Sequence, residues 1–163
     1  MDRPQLMAIV LAILVLLLAL MYLGWRARQR RQRNVSAPLP APADLGAQLG
    51  AFAGKYVATT AAGNPLDRIA VHGLGFRSAA TVTVTETGVL VQRPGSDDLW
   101  IPRADVLGRR TATWTIDRVV EHDGLELVEW NLGGTTVDSY FRLRDPEAFE
   151  KAFQQLLGDR AAA

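Results

Sequence analysis

Hydrophobic and polar positions divide this chain into two regimes. From Leu6 to Trp25 the sequence LMAIVLAILVLLLALMYLGW carries no charge. At 1.5 Å per residue a helix of that length covers about 30 Å, the thickness of a bilayer's hydrocarbon core. Beyond Leu49 the pattern changes to short β-type runs. Thr81-Val82-Thr83-Val84-Thr85 alternates polar and apolar residues at period two, the mark of a half-buried strand. Further runs are expected at Gly54–Thr60, Arg68–His72, Arg77–Glu86, Val89–Arg93, Leu99–Arg103, Thr111–Glu121, Leu125–Leu132 and Val137–Leu143. Turn residues separate them: Glu86-Thr87-Gly88, Pro94-Gly95-Ser96-Asp97, Asp123-Gly124 and Gly133-Gly134. In the last run Val137, Ser139, Phe141 and Leu143 share one face, and Asp138, Tyr140 and Arg142 the other.

The chain then returns to helical spacing. Asp145 is a good N-cap, Pro146 suits the first helical position and Glu147 favours the positive end of the helix dipole. Ala148, Phe149, Ala152, Phe153, Leu156 and Leu157 fall on one face, and Gly158 ends the helix. The expected fold is mainly β: about seven antiparallel strands in a barrel or sandwich, closed by one C-terminal α-helix and preceded by one transmembrane helix.

Charge gives the apolar helix a direction. Arg26, Arg28, Arg30, Arg31 and Arg33 follow it, whereas Arg3 alone precedes it, beside Asp2. The positive-inside rule then leaves the N-terminus outside and the rest cytoplasmic, at the cell membrane. Tyr22 and Trp25, with those five arginines, form the expected membrane-interface set. A cleaved signal peptide would instead be basic before the apolar run, and Leu-Gly-Trp-Arg is a poor cleavage site. From Asn34 onward 12 basic side chains face 16 acidic ones, a formal charge of −4. The basic collar and the acidic domain therefore differ in their attraction to anionic lipid.

The organisation reads as an extracytoplasmic N-terminus (1–5), a membrane helix (6–25), a basic juxtamembrane segment (26–33), a linker (34–51), a β domain (52–159) and a tail (160–163). Pro38, Pro40 and Pro42 favour an extended, semi-rigid spacer in the linker.

Candidate chemistry is sparse. The chain has no cysteine, which removes disulfides, thiolate metal sites and a cysteine nucleophile. His72 and His122 have no partner at metal-ligand spacing, and Gly73-Leu74-Gly75 lacks the third glycine of a dinucleotide loop. No serine sits in a nucleophile-elbow pattern. The reading is non-enzymatic, with no cofactor, metal or small-molecule substrate, and no nucleic-acid partner. Trp100, Trp114 and Trp130 fall at strand positions. With Leu99 and Ile101 facing the core, Trp100 is expected to point outward, either as a partner anchor or under a neighbouring loop. Arg103, Arg109 and Arg110 form the densest basic group of the domain, expected in the loop after Leu99–Arg103 as a contact surface.

Seven strands followed by one amphipathic helix is the layout of a pleckstrin-homology (PH) domain. The stretches TVTVTETGVLV, LWIP and LVEWNLGG, with the Phe-Arg ending, make the chain look like a family of small actinobacterial membrane proteins carrying a bacterial PH-like domain. The resemblance implies an anchored interaction module, with either a membrane-associated protein partner or lipid headgroups read by the arginine collar and domain together. Lipid-binding PH domains hold phosphoinositides through basic residues around the loop joining their first two strands. Here Thr59–Arg68 offers only Asn64, Asp67 and Arg68, with Lys55 nearby, which departs from that pattern.

Overall fold

The computed structural model describes residues 3–112, 114–115, 118–119 and 124–158, without the side chains of residues 28, 29, 31, 114–115 and 118–119. The chain divides into two compact units, Met1–Asn34 and Val35–Ala163.

The first unit is one helix, α1 (Arg3–Arg31), which continues unbroken from the apolar run through the arginine collar. Its Arg3–Ala27 stretch, 25 residues containing an 18-residue window of mean hydropathy 3.1, is long and apolar enough to cross a membrane by length and composition. Apolar side chains are exposed all round it, from Leu6 to Trp25. Tyr22 and Trp25 lie with ring centroids 6.2 Å apart, and Arg26 donates to the Tyr22 hydroxyl at 3.2 Å.

The second unit is built on a sheet of seven antiparallel strands. In chain order they are β1 (Gln48–Ala61), β2 (Ser78–Thr85), β3 (Gly88–Gln92), β4 (Leu99–Pro102), β5 (Val106–Ala112), β8 (Leu125–Leu132) and β9 (Thr135–Leu143). A short hairpin, β6 (Trp114–Thr115) with β7 (Arg118–Val119), interrupts β5 and β8. The spatial order is β4-β3-β2-β1-β9-β8-β5, so β1 is shared by both halves and β4 and β5 are the outermost strands among the described residues. Helix α2 (Pro146–Gly158) packs on β1 and β2.

The alternation read in the sequence survives in three dimensions. On the inner face Tyr56, Val82, Val84, Trp130, Val137 and Phe141 are buried together with Phe149, Phe153 and Leu156 of α2. Phe149 meets Phe52 edge-on at 5.5 Å, a geometry the ring quadrupoles favour. A second cluster, Val57, Leu125, Leu127 and Tyr140, is buried on the opposite face of the same strands. That explains why β1 is buried at every position from Tyr56 to Thr60.

Three expectations are corrected. The first strand begins at Gln48, inside the stretch read as linker. Residues 68–72 do not form a strand; they belong to the β1–β2 loop and touch β1 through a single bridge, Thr60 to Arg68. The stretch after Pro102 is not a long loop: a 3₁₀ turn (Arg103–Asp105) leads at once into β5. The bulge between Val106 and Gly108 breaks the alternation, which is why the pattern hides this strand. The run expected at Thr111–Glu121 is divided between the end of β5 at Ala112 and the β6–β7 hairpin, and residues 113, 116, 117 and 120–122, His122 among them, lie outside the described residues.

Candidate functional site

The β1–β2 loop folds back against β1 and contributes to the main core. Three of its backbone bonds to β1 measure 2.9 Å: Thr59 N–H to Leu74 O, Ile69 N–H to Thr59 O and Ala61 N–H to Asp67 O. Leu74 and Ile69 enter the core as a plug. The turn that delivers Leu74 is strained, because His72 takes a left-handed φ of 56° beside Gly73 at 67°. Such a conformation costs a non-glycine residue about 1–2 kcal/mol, so the surrounding contacts must hold it.

Beneath the plug runs a buried polar chain. Trp130 Nε1 donates to Ser139 Oγ at 2.9 Å, Ser139 Oγ meets Thr59 Oγ1 at 2.6 Å, and Thr59 Oγ1 meets the Tyr56 hydroxyl at 2.7 Å. Tyr56 donates onward to Leu74 O at 2.7 Å. Burial pushes the Tyr56 phenol well above its ordinary pKa, and the Thr59 bond and Arg93 charge offset only part of that rise. The hydroxyl therefore keeps its proton and remains a donor to the plug. The three hydroxyls of this network, on Tyr56, Thr59 and Ser139, are all bonded, which suits a structural role.

The cations around the β1–β2 loop serve the loop itself. Arg93, 4 % exposed, donates from Nη1 to Gly73 O at 2.9 Å and from Nε and Nη2 to Asp97 O, while its guanidinium lies 5.0 Å from the Tyr56 ring centre. Arg68 donates to Gly75 O at 3.1 Å. Sequence reasoning missed both Arg93 and the polar chain. Ser139 was the visible signal, a hydroxyl sharing a strand face with Val137 and Phe141.

A scan against protein-family models matches residues 35–156 to the family described as bacterial PH domain-like. The chain belongs to that family. Among solved structures, the PH-like chain is similar to the C-terminal domain of an unknown protein from Leishmania infantum. The TM-score is 0.46 at 10% identity, covering 68% of this chain and 83% of that one. It is also similar to Vav1 inhibited by an allosteric inhibitor, with TM-score 0.41 and 10% identity, covering 69% and 27%. No curated protein matches the chain.

On the PH-like domain the expected contact residues do not converge. Trp100 is buried, 4 % exposed. It does leave the inner face, as its neighbours Leu99 and Ile101 require, but it pairs with Leu90 and lies over Gly88. A Cβ at Gly88 would come within 2.8 Å of the indole, so the missing side chain makes the ring's berth. Arg103 is half-buried, and its backbone N–H donates to Thr87 O at 2.8 Å, tying the end of β4 to the β2–β3 turn. Arg109 and Arg110 are adjacent on a strand and so leave opposite faces. Arg109 bonds Glu126 at 2.5 Å and Glu150 of α2 at 2.9 Å. Burial lowers its pKa, but the two carboxylates together outweigh that and hold the guanidinium charged. Arg110 bonds Glu129 at 3.1 Å on the outer face. The three arginines therefore form no common patch.

Two kinds of surface remain. One is the outer edge of β5, where Leu107 is 51 % exposed and nothing lies within 4 Å of the Cβ position of Gly108. The other is the rim of the β1–β2 loop, where Leu66 and Phe76 are exposed beside Asp67 and Arg77. On α1, helical spacing sets Tyr22, Arg26 and Arg30 on one face; Arg33 follows in the turn, and the side chains of Arg28 and Arg31 lie outside the described residues. Among the described residues no group of three or more metal-ligating side chains occurs.

Proposed function

We propose that this chain is a membrane-anchored, non-catalytic PH-like interaction module at the cytoplasmic face, binding a protein partner through the outer edge of β5 around Leu107 and Gly108. Unpaired strand edges accept an added strand through main-chain hydrogen bonds, with side-chain pockets supplying specificity. The observation that carries this reading is how the cations around the β1–β2 loop are employed. Arg68 and Arg93 donate to carbonyls of their own neighbourhood, Gly73, Gly75 and Asp97, which engages those donors within the domain rather than with an anionic ligand. The formal charge of −4 after residue 33 also opposes attraction to anionic lipid. Anchoring raises the effective concentration of the domain for a membrane-associated partner, and the arginines that follow the apolar run favour a cytoplasmic domain.

A second reading, recognition of lipid headgroups, is favoured by exposed Leu66 and Phe76 with Arg77 on the loop rim. Sedimentation of the compact unit 35–163 with anionic vesicles separates the two. Protein recognition predicts no sedimentation, together with a discrete photo-crosslinked adduct from a probe at Leu107 in native membranes. Salt-sensitive sedimentation, with lipid adducts from a probe at Phe76, selects the lipid reading instead.

A further inference from the structure

The proline-rich segment ahead of β1 is fastened to the domain at both ends. At its start, Val35 packs against the main core, and its carbonyl accepts a bond from His72 Nε2 at 2.9 Å. Ser36 sits on Gly133, so closely that a Cβ there would fall 2.4 Å from the serine Cβ and closer still to its Oγ. At its end, Thr87 Oγ1 donates to Leu45 O at 2.7 Å, Ala47 N–H donates to Glu86 Oε2 at 3.2 Å, and Glu86 N–H donates to Ala47 O at 3.1 Å. These two attachments lie at opposite ends of β1. His72 belongs to the loop that leaves Ala61, and Glu86 follows the β2 residues that pair with Gln48. Residues 39–44, between the attachments, are exposed.

We propose that Val35–Ala47 is a releasable strap that sets the length of the domain's tether. This goes beyond the interaction reading and does not depend on it. Fastened, three residues, Gln32–Asn34, separate the end of α1 from the strap. When the Val35–Ser36 attachment opens, residues 35–44 join them, adding about 30 Å of extended, proline-stiffened chain at roughly 3.1 Å per residue. That attachment is the one to open. The downstream one continues directly into the β1 ladder, whereas the upstream one depends on a left-handed histidine and a half-buried valine.

The chain has no cysteine, so a single spin label at Ala37→Cys in the full chain in nanodiscs reports the strap without background. The label should be immobilised in the parent. Gly133→Ala, which drives a methyl into Ser36, should raise the ratio of mobile to immobilised spectrum roughly five- to thirty-fold. Gly63→Ala is the control. It has the same left-handed strain, φ 72° against 56°, but open space around its Cβ, and should leave the spectrum unchanged. Adding Ser36→Gly to Gly133→Ala removes the collision and should restore immobilisation. His72→Gly keeps the turn while deleting the donor to Val35 and should mobilise the label in a folded domain, even if Gly133→Ala unfolds. A mobile label in the parent, equal effects of the two alanine variants, or an unchanged spectrum for His72→Gly would each overturn the strap.

Discussion

The two helices of this protein are both rich in apolar residues, yet they make opposite use of them. In α1 leucine, isoleucine and valine point in every direction and all are exposed. In α2 the apolar residues are gathered on one face, and Phe149, Ala152, Phe153 and Leu156 are buried against the sheet. A helix with one apolar stripe is finished by a protein surface; a helix without one is finished only by a solvent that is apolar all round. The distribution of apolar side chains, rather than their number, makes one helix apolar enough to cross a membrane and seats the other in the core.

The strongest way to break this contrast is to place charge in the middle of α1. Ile13→Lys with Leu17→Lys puts two ammonium groups on one face near the centre, at about 5–7 kcal/mol of insertion free energy for the pair. The full chain is expected to move from the membrane to the soluble fraction on ultracentrifugation, with the unfolding transition of the β domain unchanged. Loss of the domain's transition would mean that α1 supports the fold, and the contrast would fail.

The converse experiment truncates α2. Phe149 is fully buried and touches Phe52 and Phe153. Phe149→Ala should cost about 3–5 kcal/mol through lost transfer energy and the cavity left behind. Urea denaturation read by near-UV circular dichroism measures it, and Leu14→Ala in α1 should leave the same curve in place.

Both helices were legible in the sequence because their signals are local: an unbroken apolar run in one, and a cap followed by 3.6-residue spacing in the other. Thr81–Thr85 was legible for the same reason, and the seven-strand sheet with its closing helix bears out the PH-like layout. What stayed hidden depends on contacts distant in sequence. Leu107-Gly108-Arg109-Arg110 reads as a polar loop until Glu126 and Glu150 arrive from elsewhere to bury Arg109. Trp100 reads as outward-facing, an anchor or a ring under a loop, and only the fold shows that Gly88, on the neighbouring strand, supplies the space that buries it. The segment ahead of β1 reads as a spacer because nothing in its own composition announces His72 or Gly133.

Smaller effects test how α2 is started. Asp145 accepts the Ala148 N–H at 3.0 Å, as the cap requires. Asp145→Ala should destabilise the domain by about 1 kcal/mol, and Asp145→Asn should recover most of that in the same denaturation assay. An equal loss for both variants would remove the cap from the account.

The smallest expected effect concerns the link between α2 and the edge of the sheet. Arg109 reaches two carboxylates with different surroundings: Glu126, 2 % exposed, and Glu150, 49 % exposed on the helix. Water competes for Glu150, so its bond is worth only about 0.2–1 kcal/mol. Glu126 has no such competitor and keeps Arg109 in place when the helix partner is removed. Glu150→Gln should therefore lower stability by no more than that range, and the difference should shrink further in about 1 M salt, where the Debye length falls to about 3 Å. A loss well above 1 kcal/mol that persists in high salt would show that α2 is held by this charge pair as much as by its phenylalanines. The clean division between an apolar-face helix and an all-round apolar helix would then need an electrostatic term.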